Sequence, residues 1–127
     1  MSPFGHLDLR VTSLAAAEPF YAGLLPALGF TQTHHGGAWR AWATEAPLPG
    51  TAYIAVTEDP DHRPNANRVA FWAPDREAVD RLAAVARDHG ASNWEAPALM
   101  PYGPSYYAAY FEDPSGNRFE IYHRLQG

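Results

Sequence analysis

The sequence predicts a small soluble α+β protein made of two copies of a βαβββ unit, and three observations carry that reading. Residues 4–11 alternate with a period of two, residues 14–28 carry apolar side chains at helical spacing, and the same order of patterns returns from Arg68 onward. In the first stretch Leu7, Leu9 and Val11 share one face and His6, Asp8 and Arg10 the other, the mark of a strand with one buried face. Thr12 and Ser13 offer a helix cap, and Leu14, Ala17, Tyr21, Leu24, Leu25 and Leu28 continue the apolar stripe to Gly29. Pro19 and Pro26 sit awkwardly within it, so a kink or a late start is expected. Three short β-like runs follow, Phe30–His34, Trp39–Thr44 and Thr51–Thr57, separated by Gly and Pro turns.

A polar, turn-rich stretch then reads as a linker, giving a single domain over 1–127 with a first module at about 4–58, a linker at about 59–67 and a second module at about 68–124. Arg68–Trp72 is the second module's first strand. Asp75 and Glu77 fall in a helix's first turn, where carboxylates suit the dipole, and Val79, Leu82, Ala83 and Ala86 form its apolar stripe up to Gly90. Asn93–Glu95, Tyr106–Glu112 and Asn117–His123 complete the module, the last two joined by the hairpin signal Asp113-Pro114-Ser115-Gly116. Aligned, His6 matches Arg68, Ser13 matches Asp75, Gly29 matches Gly90 within one residue, and Ala55 matches Glu120.

Composition removes several kinds of chemistry. Without cysteine there is no thiolate nucleophile, disulfide or thiolate zinc site, and without lysine no Schiff base or P-loop, all nine positive charges being arginine. A net charge of −5 argues against nucleic acid, which needs a basic face. No apolar run is long enough for a membrane span and no secretory leader is visible at Met1–Gly5, so a cytoplasmic protein is expected.

Three stretches resemble the vicinal oxygen chelate superfamily, which includes glyoxalase I, bleomycin-resistance proteins, fosfomycin-resistance enzymes and extradiol dioxygenases. They are Gly5-His6-Leu7-Asp8-Leu9 with Pro19-Phe20-Tyr21 and the segment 25–30; Val69-Ala70-Phe71 with the segment 75–80; and, most specific, the segment 107–120 ending in Arg118-Phe119-Glu120. The resemblance implies the glyoxalase/bleomycin-resistance/dioxygenase fold: two βαβββ modules forming a cupped mixed β-sheet around a small-molecule site, helices outside. It also implies a homodimer. In metal-using relatives a divalent ion is held from the first and last strands of each module, which places the ligand positions at His6, Ala55, Arg68 and Glu120. His6 and Glu120 offer a nitrogen and a carboxylate, suited to Zn, Ni, Mn or Fe. Ala55 has no donor atom and Arg68 no lone pair, so the set is incomplete.

Two readings of this site follow. In the favoured one Arg68 replaces the ion, pairs with Glu120 by short charge-assisted bonds and leaves a metal-free, anion-recognising pocket. In the other Arg68 points outward, and His6 with Glu120 binds metal weakly; His6 also reads simply as a hydrogen-bonded strand histidine. Trp72 and Tyr122 share strand faces with Arg68 and Glu120 and are candidate substrate contacts, with Tyr102 reaching in from a lid loop at Pro97–Ser105. His34 and His35 read as turn residues, and His123 should face away from the pocket. Two functions stay open: a lyase, isomerase or dioxygenase-type enzyme using Glu120 as base or ligand, His6 as ligand or acid–base partner and Arg68 to hold an anionic group, or a non-catalytic protein that sequesters a small molecule or antibiotic.

Overall fold

The computed structural model describes residues 3–125, which divide into two compact units, one ending at Arg63 and the other beginning at Pro64. In the first unit β1 (His6–Val11) leads into helix α1 (Leu14–Ala27), followed by β2 (Gln32–His35), β3 (Trp39–Ala43) and β4 (Tyr53–Glu58). The second unit repeats the order with β5 (Arg68–Trp72), α2 (Arg76–Asp88), β6 (Ser92–Leu99), β7 (Tyr107–Glu112) and β8 (Arg118–His123). Each unit is a four-stranded mixed sheet, ordered β1-β4-β3-β2 and β5-β8-β7-β6, neither closed on itself. The two-copy βαβββ reading therefore holds.

Within each unit the first and last strands run parallel and the others antiparallel. Asp8 lies opposite Ala55 in one unit and Ala70 opposite Glu120 in the other. Asp8 is two residues past His6 and Ala70 two past Arg68, so Ala55 and Glu120 occupy equivalent places, as the sequence alignment had them.

One face of each sheet is covered by its helix. Leu14, Ala17, Phe20, Tyr21, Leu24 and Leu25 of α1 are buried, as are Val11, Trp42, Ile54 and Val56 of the sheet. In the second unit Val79, Leu82, Ala83 and Ala86 of α2 are buried, with Ala109, Phe111, Phe119 and Ile121 of its sheet. Each fully buried Leu, Ile or Val contributes roughly 1.5–3 kcal/mol. The other face of each sheet carries no helix, and there the sequence places its polar and ring-bearing residues.

The helix boundaries follow from local chemistry. Ser13 Oγ accepts from the Ala16 amide at 3.2 Å, and Asp75 Oδ1 accepts from the Ala78 amide at 2.7 Å, both as N-caps. The Leu14 amide also donates to Glu58 Oε1 at 2.9 Å, tying the helix start to the end of β4. Both helices stop at a glycine with positive φ, Gly29 at 103° and Gly90 at 98°. The amides of Phe30 and Ala91, one residue beyond, reach back to Leu25 O and Ala86 O, each at 3.0 Å. Asp113 ends β7 fully buried. Its Oδ1 accepts from the amides of Ser115 and Asn117 and its Oδ2 from the Asn117 side chain, all within 2.9 Å, so the buried charge is well satisfied.

Several expectations are corrected. Helix α1 starts at Leu14 without delay and runs through Pro19; the ring is exposed, and the buried stripe around it outweighs the missing amide. Strand β6 extends over Ser92–Leu99, beyond the expected 93–95, and takes in Pro97 from the expected lid loop. As an edge strand β6 tolerates a residue without an amide, and its pairing with β7 is broken by two register shifts. His34 and His35 are strand residues of β2, opposite Ala41 and Arg40, not turn residues. Among the described residues no helix is long and apolar enough to cross a membrane.

Candidate functional site

The uncovered face of the second sheet brings together most of the anticipated contacts. Glu120 sits on β8 directly opposite Tyr110 of β7 and is only 7% exposed. Its carboxylate accepts a very short hydrogen bond from the Tyr106 hydroxyl. The Tyr106 ring stacks on Tyr122 with centroids 5.3 Å apart and planes 5° from parallel, while Tyr102 meets Tyr106 edge-on at 5.5 Å. The result is a strip of three tyrosines with one carboxylate sealed beneath it. Tyr102 and Trp72 are 68% and 71% exposed, enough area to receive a flat molecule.

Two cations flank the strip. The Arg68 guanidinium lies over the Tyr110 ring at 5.0 Å, and that of Arg124 over Tyr122 at 5.5 Å. Neither takes part in an ion pair among the described residues. The expected Arg68–Glu120 pair is therefore absent. The cause lies in the register: Arg68 pairs with Arg118, while Glu120 lies opposite Ala70, one same-face step farther along. Glu95 and Glu112 line a hollow together with Arg68 and Arg118, and Glu112 is engaged by the Asn93 side chain at 2.8 Å.

The electrostatics of this face favour protonated phenols. Burial first, and then the Glu120 hydrogen bond and charge, raise the Tyr106 pKa well above that of a free phenol. Burial, reinforced by Glu120, pushes Tyr110 up to about 12. Tyr106 is thus a hydrogen-bond donor to Glu120 throughout the neutral range.

The uncovered face of the first sheet carries His6 and Ala55. The imidazole of His6 stacks on Tyr53 at 4.7 Å, with Nε2 3.7 Å from Asp8 Oδ2, and is half-exposed. Ala55 lies on β4 opposite Asp8, offering no donor atom. His123 turns away from Glu120 and bonds through Nδ1 to Ala73 O at 2.9 Å, the orientation its parity implied.

These residues do not fit the four-ligand metal group that the sequence resemblance implies. Ala55 is inert, Arg68 is a stacked cation, and the Glu120 carboxylate is bonded to a phenol. Among the described residues no three His, Cys, Asp or Glu side chains gather in a way that would hold a metal ion. Tyr106, Tyr110 and Arg124 are the contributors the sequence reading did not single out. Tyr110 was countable, since the Asp113–Gly116 turn sets it opposite Glu120.

A model of the Glyoxalase/Bleomycin resistance protein/Dioxygenase superfamily matches residues 4–121. No curated protein matches the chain. Among solved structures, the chain is similar to a glyoxalase/bleomycin resistance protein from Albidiferax ferrireducens T118, with a TM-score of 0.77 and 25% identity over 98% of this chain and 100% of the other. It is also similar to a glyoxalase/bleomycin resistance protein/dioxygenase family enzyme from Burkholderia phytofirmans PsJN, with a TM-score of 0.73, 21% identity and coverage of 95% and 98%. The fosfomycin resistance protein FosX from Mesorhizobium loti gives a TM-score of 0.68 at 17% identity, with coverage of 98% and 94%. The last two speak to the fold alone.

Proposed function

The chain belongs to the Glyoxalase/Bleomycin resistance protein/Dioxygenase superfamily, and from that premise we infer that it is a small-molecule-binding member whose ligand is a planar, oxygenated anion. The observation that carries this is the pair of guanidinium groups, Arg68 and Arg124, each stacked on a tyrosine of one sheet face and neither in an ion pair among the described residues. A stacked guanidinium keeps its N–H edge for a carboxylate or enolate, while Trp72, Tyr102 and Tyr122 supply ring surface. Glu120 is held by Tyr106 and serves to position that ring. In this reading Arg68 takes over the attraction that a divalent ion exerts in metal-using relatives, and the protein works as a homodimer.

An enzyme is the second reading, favoured by the near-complete burial of Glu120: a carboxylate so placed is suited to take a proton from a bound carbon or oxygen acid once Tyr106 moves aside. Thermal unfolding with 2-naphthoate, and separately with Zn²⁺, Ni²⁺, Mn²⁺ and Fe²⁺, tests the first reading. A naphthoate-dependent rise that is lost in Arg68→Ala and unaffected by ions supports the binding reading; ligand at 100 times its Kd adds about 2.7 kcal/mol of stability. A rise with a metal ion alone, and none with naphthoate, overturns it. Sedimentation velocity checks the dimer.

A further inference from the structure

The loop between β6 and β7 is tied to the end of the chain. Its neck is closed where the Met100 amide donates to Tyr106 O at 2.8 Å, and residues 101–104 beyond it are exposed. Pro101 and Pro104 bring no amide to an internal ladder, and a Cβ at Gly103 would meet nothing within 4 Å, so the tip lies clear of the body. Among the described residues, one ring contact and one hydrogen bond hold the loop beyond its neck. Tyr102 meets Tyr106 edge-on with centroids 5.5 Å apart, and Ser105 Oγ accepts from the Leu125 amide at 2.9 Å.

That hydrogen bond comes from outside the sheet. Strand β8 ends at His123, and Arg124, with its guanidinium over Tyr122 at 5.5 Å, pins the course of the chain one residue before the donating amide. Leu125 is 65% exposed, so its amide rather than its side chain makes the attachment. Tyr106, at the base of the loop, precedes the first paired residue of β7 and carries the hydroxyl that seals Glu120. A displacement of Ser105 is therefore passed directly to the ring that follows it. A solvent-exposed hydrogen bond of this kind shifts an open–closed equilibrium by about two- to tenfold. For a loop with so few contacts, that is enough to set how often it lifts.

We propose that Leu125 and Ser105 form a latch by which the end of the chain holds the loop 100–106 closed over the tyrosine-lined face. While the latch is made, Tyr102 and Tyr122 both engage the Tyr106 ring, and the phenol covers Glu120. When it opens, the loop lifts from its neck, Tyr102 leaves the strip, and ring surface becomes available to an incoming molecule. The latch regulates entry to that face; it rests on the anion-binding reading for its consequence but not for its geometry.

The test compares two variants that break the bond with two that keep it. Ser105→Ala removes the acceptor and Leu125→Pro the donating amide, whereas Ser105→Thr and Leu125→Ala retain both groups. Amide hydrogen exchange on the full chain is expected to quicken about two- to tenfold over residues 100–106 in the first pair. The factor should be the same in both and no larger in the double variant, since one bond is lost each time, while exchange in β7 and β8 stays as in the wild type. Ser105→Thr and Leu125→Ala should match the wild type throughout. Stopped-flow mixing with 2-naphthoate should show association quickened by a similar factor in the unlatched variants. Unchanged exchange over 100–106, a change that Leu125→Ala reproduces, or quicker exchange with an unchanged association rate overturns the proposal. Naphthoate binding to none of the chains overturns the anion-binding reading instead, and the exchange pattern then decides the latch by itself.

Discussion

Removing the Tyr106 hydroxyl tests the account of the second sheet's uncovered face at its centre. Glu120 is 7% exposed, and Tyr106 is the side-chain donor to its carboxylate. A hydrogen bond to a charged group is worth about 1.5–3 kcal/mol, and a buried carboxylate that loses its donor also bears its desolvation cost. The ring itself stays in Tyr106→Phe, so its stack on Tyr122 at 5.3 Å survives. The expected loss is therefore about 2 kcal/mol, read from urea unfolding at pH 7 with the slope unchanged. Glu120→Ala and the double variant close a cycle, and the coupling between the two sites should exceed about 1 kcal/mol. A loss below about 0.5 kcal/mol with no coupling would show that water serves Glu120 as well as the phenol does, and the sealed-carboxylate account would fall.

Other outcomes follow from the same structure. Pro19→Ala should stabilise the chain by about 1–3 kcal/mol, because an exposed ring within α1 removes an amide from the helical ladder and touches none of the core; unchanged thermal stability would refute this. Stability should fall in alkali: Tyr106 and Tyr110 have folded pKa values above the roughly 10 of an unfolded tyrosine, so their contribution is complete below pH 10 and is lost as pH climbs, through about 12 for Tyr110 and higher still for Tyr106. Tyr106→Phe should flatten that decline in a pH series of urea midpoints. Asp113→Ala should cost more than about 2 kcal/mol, since it strips three hydrogen bonds from the β7–β8 turn, and a smaller loss would mean that the backbone holds the turn unaided.

What the sequence made legible was whatever repeats at fixed spacing. Ser13 and Asp75 stand seven residues after His6 and Arg68; Ser13 caps its helix as expected, Asp75, read as a first-turn residue, proves to be the equivalent N-cap, and Gly29 and Gly90 end the two helices. The equivalence of Ala55 and Glu120 also came from counting, and the strand registers bear it out. What escaped depends on interactions between distant side chains. Pairing of Tyr106 with Glu120 was not countable, because Tyr106 lies just outside the paired stretch of β7 and its hydroxyl reaches back along the sheet. Arg68 was expected to find Glu120 and instead found Tyr110, because parallel pairing sets same-face neighbours one step apart. Pro97 looked like a loop residue until the sheet order made its strand an edge. Gly36 read as a turn residue, and nothing in its spacing announced that an indole lies across it.

The parallel pairing of first and last strands has a consequence for how the chain folds. His6 must find Tyr53, 47 residues later (53 − 6), and Arg68 must find Arg118, 50 later (118 − 68). The hairpins β3–β4 and β7–β8 are local by comparison and can form first. Closing a chain segment of that length carries an entropic cost before any contact repays it, and such non-local pairings slow folding. The first strand of each unit is therefore expected to join last. Substitutions at the β7–β8 turn should slow refolding in a chevron analysis, while those in β5 should chiefly speed unfolding. During synthesis β1 has no partner until Tyr53–Glu58 has been made, so its alternating face waits, exposed, for most of the time that its unit is under construction.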